Sequence, residues 1–201
     1  IYEHDHKYLK SRDPSIYPDF IAPSHEIINE TFYKNAYAVV VLSNICKEII
    51  KANLQLDNVY NIGCSLWTNE KINYISSLSD AEKNKAYAVL HSLNPVKGYS
   101  QAVDYCNKNN IKFDIIEPCG ANELLTQLVR YRVLVFFPQV LETFCRLAAE
   151  AKMLNCQLLT KPKMLGFASE NIYQLSGEAL IEKVRERKNA ALELFLSLIE
   201  D

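Results

Sequence analysis

Glycine is scarce, with five in 201 residues, and none falls in a G-x-G-x-x-G or a Walker-type loop. Backbone cradles of the dinucleotide or P-loop kind are therefore excluded as motifs. Paired cysteines are missing too. Cys46, Cys64, Cys106, Cys119, Cys145 and Cys156 stand singly, with no C-x-x-C and no histidine at metal-ligand spacing. Scattered single cysteines read as reduced thiols, most simply as small buried hydrophobes of a cytoplasmic protein. No apolar run approaches membrane-spanning length. Charge of one sign is also lacking: 22 Lys and Arg against 24 Asp and Glu leave a net −2. That balance predicts no nucleic-acid surface and no polybasic membrane patch. Tryptophan occurs once, at Trp67.

What the chain does have is ordinary globular composition, 49% hydrophobic, at a length that can bury a useful core. It opens on Ile1 rather than Met, directly in "IYEHDHKYL". The expectation is a fragment or a processed chain.

Six short stretches rich in Val, Ile, Tyr and Phe predict strands at 36–43, 58–63, 86–92, 112–118, 132–138 and 156–160. Several are apolar throughout, as in parallel strands covered on both faces. Helical patterns lie between them. "SHEIINETFYKNA" would start from an N-cap at Ser24, "SNICKEIIKANL" from Ser43, and "TFCRLAAEAKMLN" from the Glu142-Thr143 step. A long amphipathic helix is expected over 176–200. This alternation predicts an α/β fold with right-handed crossovers. It breaks over the polar segment 64–85, which reads as an irregular linker. The expected division is 1–63 as the end of one α/β unit, 64–85 as the linker, 86–175 as a second unit, and 176–201 as a terminal helix.

Open parallel sheets bind ligands at the carboxyl ends of their strands. After 86–92 comes "NPVKGYSQAV", which puts Lys97 at a helix start, where an anion would be favoured. After 112–118 comes "EPCGANE", a weaker signal, with Glu117 at the strand end. After 132–138 comes "QVLETFCRLAAEAKMLN". Glu142 has an adequate explanation as a helix-start carboxylate. Glu150, set among alanines and apolar residues, does not. In regular helix the two would lie about 80° apart around the axis, flanking one side.

The stretch "FFPQVLETFCRLAAEAKMLNCQLLT", with its E-x7-E pair around an aromatic, resembles the nucleotide-sugar signature of retaining glycosyltransferases of the GT-B fold, which have two Rossmann-like domains. "HSLNPVKGYSQAV" is similar to the phosphate loop that precedes it in that family. "YAVVVLSNICKEIIKANLQLDNVYNIGCSLW" resembles the end of the N-terminal domain, and "YEHDHKYLKSRDP" a His-Asp segment near the acceptor side. The resemblance implies a fold consisting of a Rossmann-like C-terminal domain plus the end of an N-terminal one. It implies transfer of a sugar from a nucleotide-diphosphate sugar to a carbohydrate, lipid-linked or protein acceptor, without a metal or other cofactor. Within it, Glu142 would accept from sugar hydroxyls and Glu150 from the ribose. Lys97, with Ser92 at the head of its loop, would serve the diphosphate. Backbone N–H groups at Thr143, Phe144 and Cys145 would approach the sugar and diphosphate, and His4 would sit near the reacting sugar. Removing Glu150 would then weaken nucleotide binding with little effect on the fold.

Two positions depart from the family pattern. Ser92 stands where an arginine is usual, and Cys145 where glycine is frequent. By the resemblance, the first strands of the N-terminal domain are expected to lie outside the chain, so a missing N-terminal segment or an oligomer mate is an expected partner. The expected location is cytoplasmic, with peripheral membrane association open. An epimerase or phosphorylase of the same fold, and a non-catalytic α/β binding module, remain alternatives.

Overall fold

The computed structural model describes residues 1–200. In chain order the elements are α1 (Glu30–Lys34), β1 (Val39–Val41), α2 (Asn44–Leu54), β2 (Val59–Asn61), α3 (Asn69–Leu78), β3 (Lys85–Leu90), α4 (Tyr99–Lys108), β4 (Asp114–Ile116), α5 (Ala121–Leu128), β5 (Tyr131–Phe136), α6 (Arg146–Met153), β6 (Gln157–Thr160) and α7 (Gly177–Glu200). All six expected strands form, each shorter than its apolar run. No helix among the described residues is long and apolar enough to cross a membrane.

The strands make two parallel sheets, β1-β2 and β4-β3-β5-β6. In the larger one Ala88 pairs with Leu134, and Leu134 with Leu158. Alternate residues of β3 and β5 serve different layers. Ala88, Leu134 and Phe136 enter the largest core, whereas Val89 and Val135 pack under α4 with Ala102 and Cys106. That two-sided burial is why these strands read as unbroken apolar runs. Chain order β3-α4-β4 followed by α5-β5 and α6-β6 is the expected α/β, Rossmann-like arrangement. The smaller sheet extends on its other edge through a parallel bridge from Tyr2 to Val40.

The expected irregular linker at 64–85 is instead built around α3. Trp67 is only 3% exposed, and Ile72 and Ile75 are fully buried. They join a continuous core that runs from Val40 of the small sheet, with Leu42 and Ile62 just past its strands, to Leu134 of the large sheet and Phe144 before α6. Two apolar positions three residues apart suffice to seat one face of so short a helix. Thr68 caps it by accepting from the Lys71 N–H.

The helix expected from Ser24 is also corrected. Residues 24–26 form one 3-10 turn, and α1 begins only at Glu30, after Asn29 at φ 57°. Between them Ile27 bridges Leu9, and the Ile28 N–H donates to Tyr8 O at 2.8 Å. Pairing with the 8–10 loop holds this stretch extended, against its local helical pattern.

A buried polar clamp ties the two sheets together. Glu170, 4% exposed, accepts from the Asn44 N–H at the start of α2 (2.6 Å), from Asn61 Nδ2 (2.9 Å) and from Arg187 Nη1 on α7 (2.5 Å). Arg187 also donates to Gly63 O at 2.6 Å.

Candidate functional site

The cleft lies where the carboxyl ends of β1, β3, β4 and β5 meet the 4–12 loop and α6, and has a volume of about 940 Å³. His4, Ser92, Lys97, Glu142, Thr143, Phe144, Cys145 and Glu150 all line it. The residues singled out in the sequence are thus brought to one place. Their individual environments differ from the expectation in several respects.

Lys97 and Glu142 face each other directly, Nζ to Oε1 at 2.7 Å, with the Glu142 side chain 17% exposed. Lys97 ends a 3-10 turn whose start is capped by Asn94, with Oδ1 accepting from the Val96 N–H at 3.1 Å. The next residue, Gly98, has φ +69°, and a Cβ there would lie 1.7 Å from Phe137 O. Only glycine allows that approach, which sets the Lys97 loop against the end of β5. Ser92 is occupied with the same loop: its Oγ accepts from the Asn94 N–H at 3.2 Å.

Glu142 does not start a helix, and α6 begins four residues later, at Arg146. The reason is a contact distant in sequence. The Glu142 N–H donates to Met164 O (3.0 Å), Glu142 O accepts from the Gly166 N–H (2.8 Å), and Phe144 O accepts from the Phe167 N–H (2.8 Å). A Cβ on Gly166 would meet Thr143 O at 2.1 Å, so this pairing also depends on glycine. The chain then turns into α6 through Cys145 at φ 77°, a left-handed conformation that costs a non-glycine residue about 1–2 kcal/mol. Burial, then the charge of Glu142, pushes the Cys145 thiol up to about 12, so it is protonated at neutral pH and is no nucleophile.

This turn has a chemical consequence. Among the described residues, the backbone N–H groups of Thr143, Phe144, Cys145, Arg146 and Leu147 donate to no protein acceptor, and α6 has no side-chain cap. Consecutive free N–H groups at a helix start form an anion-binding concavity. Thr143 is fixed from its other atoms, with Oγ1 donating to His4 O (2.8 Å) and its carbonyl accepting from Ser43 Oγ (2.7 Å). The Phe144 ring belongs to the core, 5.2 Å from Phe167. His4 sits against the Tyr2 ring with centroids 4.1 Å apart.

Glu150 is 9% exposed. Its Oε1 accepts from Trp67 Nε1 at 2.8 Å and lies 3.5 Å from Arg146 Nη2. Its carboxylate therefore also holds the buried Trp67 indole, a structural contact beside the expected binding role.

Three contributors escaped the sequence reading. Arg146 lines the cleft half-exposed, its guanidinium 5.3 Å from the Trp67 ring. Its position at i−4 from Glu150 on an expected helix was the available signal. Asp13 accepts from the Leu141 N–H at 3.2 Å and so anchors the motif loop to the 4–12 segment. It lies in the quoted YEHDHKYLKSRDP segment, but nothing local in sequence marks its contact with Leu141. His91 pairs with Glu117, Nδ1 to Oε2 at 2.5 Å, which accounts for the strand-end glutamate. His6, also on the cleft wall, is held neutral, its pKa lowered to about 4 by burial. No group of three or more His, Cys, Asp or Glu side chains suited to a metal ion occurs among the described residues.

No family model matches this chain, and no curated protein matches it. Solved structures share its fold. One is a mutant of S. aureus TarM in complex with fondaparinux, alpha-GlcNAc-glycerol and UDP, at a TM-score of 0.57 and 13% identity, covering 100% of this chain and 50% of that one. Another is Anabaena HepE in complex with UDP and glucose, at a TM-score of 0.50 and 14% identity, covering 98% of this chain and 71% of that one. The chain thus spans half the length of TarM. At this identity the likeness is one of fold.

Proposed function

We propose that this chain is the donor-binding part of a glycosyltransferase, one that moves a sugar from a nucleotide-diphosphate sugar to a hydroxyl acceptor with retention of configuration. The observation that carries the reading is the run of unpaired N–H groups from Thr143 to Leu147, set in a cleft that also holds Lys97 and Arg146. Such an array suits a diphosphate, and a leaving diphosphate is where charge grows in sugar transfer. TarM and HepE, which share the fold, were each solved with UDP.

In this reading the bond from the sugar C1 to the β-phosphate oxygen breaks. The acceptor oxygen bonds to C1 on the same face, and its proton passes to the departing phosphate. Lys97 and Arg146, with the free N–H groups, stabilise the diphosphate without a metal. The Lys97 ammonium has three donors, so it can hold Glu142 and a phosphate oxygen together. Glu142 accepts from sugar hydroxyls, Glu150 from the ribose, and His4 lies beside the reacting sugar. Residues 1–63 would be the end of the acceptor-side domain and 86–175 the donor-side domain. The acceptor is a carbohydrate, a lipid-linked sugar or a protein.

Incubation with a panel of nucleotide sugars tests this. Release of nucleoside diphosphate without acceptor, with the liberated sugar first appearing in the donor's anomeric form by NMR, is the expected outcome. Release in the opposite anomeric form would overturn retention, and no release from any donor would count against catalysis by this chain.

A further inference from the structure

The single tryptophan sits where it can control the cleft's most buried carboxylate. Trp67 precedes α3, is 3% exposed, and packs edge-on against Phe144 with centroids 6.0 Å apart. Its Nε1–H donates to Glu150 Oε1 at 2.8 Å. The other Glu150 oxygen, Oε2, has no hydrogen-bond partner among the described residues. It is not fully buried: among the described residues, Thr160 Oγ1 is the one fully buried side-chain N or O atom without a partner. Glu150 itself lines the cleft.

An indole N–H donates and cannot accept, so it fixes which carboxylate oxygen is spoken for. Arg146 holds Glu150 only loosely, at 3.5 Å, and is itself half-exposed. The rigid partner is therefore Trp67, locked in the core. From this geometry we infer that Trp67 is a positioning residue: it orients the Glu150 carboxylate so that Oε2 presents a preset acceptor to the hydroxyls of the nucleotide ribose. The inference rests on the donor-site reading above and adds the group that sets ribose recognition. A segment that the sequence presents as a polar linker thereby determines discrimination between ribose and deoxyribose.

The test is a double-mutant cycle on the full chain, with affinity measured by calorimetry. The probes are UDP, GDP and ADP; the tightest binder is then compared with its 2′-deoxy analogue. Trp67→Phe keeps an aromatic ring and deletes the donor. Because the chain has one tryptophan, biosynthetic replacement by benzothienylalanine also removes the N–H while keeping the bicyclic shape, so the test survives if the Phe variant fails to fold. Either change should weaken the ribonucleotide about tenfold and bring ribose and deoxyribose affinities within about twofold of each other. In a Glu150→Ala background the same change should have almost no further effect. Unchanged ribose preference, or an equal loss in the Glu150→Ala background, overturns the positioning role while leaving the donor site standing. Absence of binding by every nucleoside diphosphate overturns the donor site itself, and this inference with it.

Discussion

Glu150 offers the most informative substitution, because two replacements separate its structural role from its binding role. Glu150→Ala deletes the acceptor of a 2.8 Å hydrogen bond and leaves the indole N–H of a residue that is 3% exposed without a partner. An orphaned buried donor costs about 1–3 kcal/mol. Glu150→Gln removes the same negative charge but keeps an oxygen for the indole. Both variants relieve the desolvation of a carboxylate that is 9% exposed. The difference between them isolates the hydrogen bond and the lost packing. For a chain of this size 1 kcal/mol moves Tm by about 2–4 °C, so the Ala variant should melt about 2–12 °C below the Gln variant. Differential scanning calorimetry reads this directly. Equal melting temperatures would refute the reasoning, and would mean that the indole N–H finds another acceptor or that the bond contributes nothing.

Other expectations follow from the same geometry. Glu170→Ala strips a partner from Arg187 and from the first N–H of α2; urea unfolding should show a loss of about 3 kcal/mol, the low end for a broken buried pair because Arg187 is 23% exposed. His6 has its pKa lowered to about 4 by burial, against about 6.5 in the unfolded chain. Between those values the unfolded state binds a proton that the folded state refuses. Stability should therefore fall by about 3 kcal/mol as pH drops from about 6.5 to about 4, and His6→Gln should flatten that slope in pH-dependent urea melts.

The α/β alternation was legible because β3 and β5 bury side chains on both faces, which leaves an unmistakable apolar run in the chain. Lys97, Glu142 and Glu150 were legible because strand ends in parallel sheets collect ligands, and because glutamate among alanines has no local reason to exist. The start of α6 was not. It depends on the Gly166 N–H reaching Glu142 O and on a left-handed Cys145, neither of which local propensity encodes. Nor was α3, whose burial rests on Ile72, Ile75 and the preceding Trp67 in an otherwise polar stretch. The Lys97 to Glu142 ion pair joins two loops whose meeting is decided by the Gly98 contact with Phe137 O. Tertiary contacts thus set the details on which the chemistry turns, while the periodicity set the frame.

The central claim is a diphosphate site built from Lys97 and the free N–H groups at the start of α6. The direct measurement is the melting temperature of the chain and of Lys97→Ala against a series of nucleotide-diphosphate sugars. A donor at about 100 times its Kd should stabilise the native chain by about 2.7 kcal/mol, a shift of about 5–11 °C, with the variant needing far higher concentrations for the same shift. No shift with any donor, or the same shift at the same concentrations in both proteins, would contradict the account.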